Sequence, residues 1–198
     1  MHKDFHMKTM KENVQSQTTS MEVLIPIIRE RLAEGQSIRF SPKGTSMLPM
    51  LRENRDTVTL SPLPEKLKKY DLPLYRRANG QYVLHRIVQV TAESGEDLHR
   101  IDSIKTGLVH APHPIYTCRG DNQVVSETGL SHDRMIALVT GFTRNGREHS
   151  VQEPGYRIYC RLWYAICPAR KLYRRIRRKL AGIRLLRKLY HMLADIAK

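Results

Sequence analysis

The sequence predicts a mainly β domain, a partly closed barrel of short strands, with a short N-terminal helix before it and a basic amphipathic helical tail after it. Three patterns point there. A Thr19-x-x-Glu22 capping box and Gly35 frame a helix. After Gly35, β-branched or alternating segments are separated by turn-rich stretches. Near the C-terminus, apolar residues recur at steps of three and four among lysines and arginines.

In chain order, residues 1–18 are polar and charged where a secretory signal would carry an apolar stretch, and they read as a disordered lead-in. The helix runs through Ala33, or begins only at Pro26, which falls inside that span. The expected strands are Ser37 to Phe40, Asp56 to Leu60, Tyr82 to Val90, Asp97 to Ile101 and Met135 to Phe142. Turns are expected at Ala78-Asn79-Gly80 and Glu93-Ser94-Gly95. The β domain spans 19–143 and the tail 144–198.

The chain has 198 residues and a formal net charge of +15, unevenly spread. Residues 144–198 hold 15 Lys and Arg against 3 Asp and Glu, so the body is nearly neutral and the tail carries the basic character. In the tail, Leu172, Ile176, Leu180, Ile183, Leu186, Leu189, Leu193 and Ile196 line one helical face, with arginines and lysines on the others. Pro168 separates this helix from an apolar segment, Tyr156 to Cys167. Aromatic residues beside a basic amphipathic helix suit an anionic membrane surface, and residues 156–198 are expected to meet one. The alternatives are leucines packed on the body with a solvated basic face, and nucleic acid, disfavoured because no nucleic-acid signature accompanies the charge.

At 40% hydrophobic residues the composition excludes collagen-like, low-complexity and wholly disordered chains. Three cysteines make no disulfide framework and point to a reducing compartment. Cys160 and Cys167 read as buried thiols, with lipidation the alternative. No apolar run approaches the roughly 20 residues of a spanning helix, so the expected location is cytoplasmic, peripheral at the cytoplasmic membrane face if the tail meets lipid. His110 and His113 read as a proline-rich surface turn and Asp71 as part of a solvated loop. No metal or cofactor is expected.

The chemistry concentrates in three segments. Ser46, between Gly44 and a Met-Leu-Pro turn, has the setting of a protruding nucleophile. His85, on the expected strand with Val83, Ile87 and Gln89 on its face, titrates where a general base must. The Gly120-Asp121-Asn122 turn and Glu127 offer carboxylates that would orient an imidazole or hold the turn.

Taken in order, Gly44-Thr45-Ser46-Met47-Leu48-Pro49, Leu84-His85-Arg86-Ile87, Gly120-Asp121-Asn122 with Gly129-Leu130, and Ile136 to Gly141 resemble the successive motifs of the signal peptidase and LexA-type serine peptidases. The resemblance covers residues 20 to 143. His85-Arg86-Ile87 matches the histidine-containing branch of endoplasmic-reticulum, archaeal and sporulation-type signal peptidases, where most bacterial members use lysine. It implies a serine endopeptidase acting on an extended leader or signal-like peptide. Ser46 would be the nucleophile, His85 the base, Asp121 or Glu127 the orienting acid, and the Thr45 and Ser46 backbone the oxyanion hole. Where that branch has a second acidic pair before Gly-Leu, this chain has Ser126 and Glu127. Where signal peptidases commonly carry a serine two residues before the nucleophile, it has Gly44. Two other readings stay open: a non-catalytic peptide-binding module of the same fold held to membrane by its tail, and a self-cleaving DNA-binding regulator, which lacks room for a helix-turn-helix domain.

Overall fold

The computed structural model describes residues 21–92 and 113–196, with 183–196 as backbone alone. The expected lead-in, Thr19, the strand at 97–101, the turn at 93–95, His110 and the apolar side chains from Ile183 to Ile196 lie outside what is described.

Helix α1 (Met21–Ala33) contains Pro26 and buries Ile25, Ile28 and Leu32, the spacing of one inward stripe. It ends as expected at Gly35, whose φ of +75° only glycine adopts freely. The Gly35 and Gln36 N–H groups donate back to Leu32 and Arg31, satisfying carbonyls at the helix end.

Among the described residues nine strands follow: β1 (Ile38–Phe40), β2 (Thr57–Ser61), β3 (Pro73–Arg76), β4 (Tyr82–Leu84), β5 (Arg86–Ala92), β6 (Pro114–Arg119), β7 (Glu127–Leu130), β8 (Met135–Arg144) and β9 (Arg147–Ser150). All pair antiparallel. One sheet has the order β1-β2-β8-β3-β4, with β9 also on β8, and the other the order β5-β6-β7. The body is therefore mainly sheet, as expected, and among the described residues it forms two sheets and no closed barrel. The buried apolar residues form two clusters, the smaller shared by both sheets, since Tyr75 and Met135 in it come from β3 and β8. Met47, Leu51, Val58, Leu74, Leu84 and Val139 belong to the larger, and Tyr75, Ile87, Tyr116 and Cys118 to the smaller.

Several expectations are corrected. The run Tyr82 to Val90 is two strands in different sheets, parted at His85. Its period-two face breaks down there: Ile87, Val88 and Val90 are buried, Gln89 is exposed, and the pairing with β6 shifts between Ile87 and Gln89. The Gly120-Asp121-Asn122 turn stands between β6 and β7, and Glu127 is the first residue of β7. Asp71 is half-buried: its carboxylate accepts the Lys68 N–H at 2.8 Å, and burial pushes its pKa up. The sheet also runs past residue 143, because β9 returns along β8 through Asn145-Gly146, both with positive φ.

Helix α2 (Pro154–Ala165) and helix α3 (Cys167–Ile196) make up the tail. The break falls at Ile166, with Pro168 in the first turn of α3, where a missing N–H costs little. Tyr156 and Cys160 of α2 enter the larger cluster, so the tail begins as part of the core. Cys118, Cys160 and Cys167 are free and buried, which fits structural thiols. Among the described residues no helix is long and apolar enough to cross a membrane.

Candidate active site

The site forms where three loops meet at the junction of the sheets. The first is the turn at 44–50. Gly44, with φ +85°, donates its N–H to Glu53 at 3.0 Å, and Met47, Met50 and Leu51 sink into the core. These anchors hold the intervening backbone close to the surface, and Ser46 is half-buried on it.

The second is the corner at His85. Leu84 packs into one cluster and Ile87 into the other, so the single residue between β4 and β5 is fixed from both sides and is 1% exposed. The third is the turn after β6. Asn122 donates its backbone N–H to the Ser46 carbonyl at 2.7 Å and its side-chain amide to the Thr45 carbonyl at 3.1 Å. Thr45 and Ser46 are thus held by their carbonyls.

Gly120 marks where the three loops converge. A Cβ built on it would lie 2.7 Å from the Ser46 carbonyl oxygen and 3.1 Å from His85 Nε2. Only a residue without a side chain lets the serine turn and the imidazole approach this closely. The sequence pattern suggests Ser46 and His85 as partners, and the fold brings them to one point. Among the described residues no hydrogen bond joins the Ser46 hydroxyl to the imidazole.

The far side of the ring belongs to Glu127. Its Oε1 lies 3.2 Å from His85 Nδ1, and the Tyr75 hydroxyl oxygen is also 3.2 Å from Nδ1. Tyr75 donates its own hydrogen to Glu127 Oε2 at 2.9 Å, so both groups facing Nδ1 are acceptors. That environment assigns the ring proton to Nδ1 and leaves the Nε2 lone pair toward Gly120 and the serine turn. Arg77 completes the cluster, donating to both Glu127 oxygens. Burial alone would raise the Glu127 pKa, but the bonds from Arg77 and Tyr75 outweigh it and hold the carboxylate below its ordinary value. Burial lowers the His85 pKa despite the carboxylate, which keeps the imidazole neutral near neutral pH.

Asp121 stands elsewhere. Its carboxylate accepts two bonds from Arg86, at 2.9 and 2.8 Å, and one from the Tyr159 hydroxyl at 3.0 Å. Arg86 also reaches the Tyr156 hydroxyl at 2.7 Å and the Tyr70 carbonyl at 3.2 Å. Of the two candidate acids, Glu127 lies 3.2 Å from the ring nitrogen and Asp121 holds the turn. Tyr75 and Arg77 have no local signal in the sequence, since one reads as an ordinary core aromatic and the other as a surface cation.

Ser46 lines a groove of about 130 Å³ together with Phe40, Pro42, Gly44, Tyr82, Val83 and Leu84. Among the described residues strand β4 pairs only with β3, and Tyr82, Val83 and Leu84 of β4 line this groove. Among the described residues no group of acidic, histidine and cysteine side chains has the arrangement of a metal site.

A scan against protein-family models finds none that matches the chain, and a search of curated proteins likewise gives no match.

Proposed function

We propose that the chain is a serine endopeptidase of the signal-peptidase-like type, with Ser46 as nucleophile, His85 as general base and Glu127 as the acid that orients it. The observation that carries this reading is the convergence at Gly120 of the serine turn and His85 Nε2, with the opposite ring nitrogen held by Glu127 and Tyr75.

The reaction follows from those positions. The Ser46 hydroxyl attacks the scissile carbonyl carbon while Nε2 takes its proton. That proton passes to the leaving amine as the C–N bond breaks, and an acyl ester remains on Ser46. Water then attacks the ester with Nε2 again as base, releasing the acid and restoring the hydroxyl. The Thr45 and Ser46 N–H groups, whose carbonyls are tied by Asn122, receive the negative charge on the tetrahedral oxygen. Hydrogen bonds between nucleophile and base are commonly long before substrate is seated and tighten in the complex.

The substrate is an extended leader or signal-like peptide. It adds to the edge of β4 that is unpaired among the described residues, and the small apolar groove takes a small side chain next to the scissile bond. The partly closed barrel belongs to the same reading, with the two sheets wrapping the corner at His85.

Wild-type, Ser46→Ala and His85→Ala proteins incubated with candidate leader peptides test the assignment: cleavage should be confined to the wild type. Hydrolysis that survives both substitutions overturns it. Gly44, standing where signal peptidases commonly carry a serine hydroxyl, favours a second reading, a peptide-binding module without turnover. A serine-directed phosphonate separates the two, because only an activated Ser46 becomes labelled.

A further inference from the structure

The tail helices are turned the opposite way from amphipathic helices that cover a core. On α3, Arg170 donates to the Asp121 carbonyl and Arg174 to the Asn122 carbonyl and side-chain oxygen, at 2.7–2.8 Å. Leu172 and Ile176 each follow one of these arginines by two residues, which is about 200° around a helix. The arginine stripe therefore faces the body and the Leu172–Ile176–Leu180 stripe faces away from it. Helix α2 repeats the pattern, since Ile158 and Leu162 are each two residues beyond the buried Tyr156 and Cys160. Ile158, Leu162, Ile166, Leu172, Tyr173, Ile176 and Leu180 are between 44% and 64% exposed, too many large apolar side chains for a solvated face.

We infer that this outward face of α2 and α3 docks on an anionic lipid bilayer surface. Charge complementarity selects that occupant. Residues 167–196 contain 10 Lys and Arg and a single acid, Asp195, so the apolar stripe is flanked by cations. A bilayer with anionic headgroups offers acyl chains to the stripe and phosphates to Arg175 and Lys179 at once. A second copy of the chain would bring two strongly cationic helices together, and a nucleic acid would leave the apolar stripe in water. The inference does not depend on the chemistry at Ser46.

The experiment is vesicle co-sedimentation of the full chain and its Ser46→Ala variant, with vesicles of phosphatidylcholine alone and of phosphatidylcholine with phosphatidylglycerol. Both proteins should sediment with the anionic vesicles and not with the neutral ones. Replacing Leu162, Ile176 and Leu180 together by Gln should weaken binding about tenfold or more, and so should Arg175→Gln with Lys179→Gln. These residues are exposed, and circular dichroism should show the helices kept. Two outcomes overturn the inference: binding unaffected by the Gln replacements on the apolar face, or no vesicle binding. A dimer by light scattering that those replacements dissolve, or retention on DNA in place of vesicles at physiological salt, would identify the true occupant.

Discussion

Arg86 and Asp121 form a buried ion pair through two bonds of 2.9 and 2.8 Å, and each directly follows a residue of the candidate site, His85 and Gly120. The pair ties the start of β5 to the turn that holds Ser46. Burial opposes the charge on Arg86, but Asp121 outweighs it and raises the guanidinium pKa well above its ordinary value. Removing one partner leaves the other charge buried without compensation. Asp121→Asn should therefore lower stability by about 3–5 kcal/mol in urea unfolding, with activity falling only as the fold is lost.

Glu127→Gln should act in the opposite way, on rate with the fold retained. A glutamine amide facing Nδ1 donates where the carboxylate accepts, so the ring proton moves to Nε2 and the base is no longer available to Ser46. By that tautomer argument kcat/KM should fall about 10³–10⁴-fold. A Glu127→Gln enzyme within tenfold of wild type, beside a folded but inactive Asp121→Asn, would transfer the orienting role to Asp121.

The pH profile follows from burial of the imidazole. His85 has a pKa below its ordinary 6.5 in the folded chain, so the unfolded chain binds that proton more readily. Its contribution to stability is complete above pH 6.5 and is lost as pH falls through the lower, folded value. Glu127, held below its ordinary 4.5, adds a loss of the same sign at lower pH. The acid limb of kcat/KM should accordingly have its midpoint below 6.5, and urea midpoints should decline over the same range in wild type and less in His85→Gln. An acid limb centred above 6.5 would contradict the buried, neutral base.

The parts of this arrangement visible in the sequence are those set by local chemistry. Gly44 to Pro49 announces a tight turn around Ser46, and Gly35 ends α1 where it must. The strand through His85 misleads, because a run of β-branched residues looks the same whether it continues one sheet or crosses between two. Strand β9 had a signal in Asn145-Gly146, the two-residue hairpin pair, but basic neighbours drew that stretch into the tail. The direction of the α3 arginines had none. Their acceptors are carbonyl groups of Asp121 and Asn122, some fifty residues away, and a helical pattern says nothing about which stripe meets the body.

That contact has its own consequence. Arg174 holds Asn122, and Asn122 holds the carbonyls of Thr45 and Ser46, so α3 braces the nucleophile turn at one remove. Arg174→Gln should lower kcat about tenfold or more with KM little changed, because small displacements of a reacting group are costly. Trp163, the only tryptophan, donates to the Asp121 carbonyl at 2.8 Å, and its fluorescence should report loosening of the same turn. Arg174→Lys should recover part of the rate.

Gly120→Ala is the most direct probe of the convergence itself. The added methyl would stand 2.7 Å from the Ser46 carbonyl oxygen, a backbone atom that cannot rotate aside. It would also stand 3.1 Å from His85 Nε2, at the face of the ring that must receive the serine proton. Relief requires the turn to withdraw from Ser46, which strains or breaks the 2.7 Å bond from the Asn122 N–H. Stability should fall by about 1–3 kcal/mol, the usual cost of overpacking, while kcat/KM falls at least 100-fold, because the reacting groups are driven apart. Thermal melts and peptide cleavage on the same preparations separate the two effects. A folded Gly120→Ala enzyme with near-wild-type turnover would mean that Ser46 and His85 do not work together at this point.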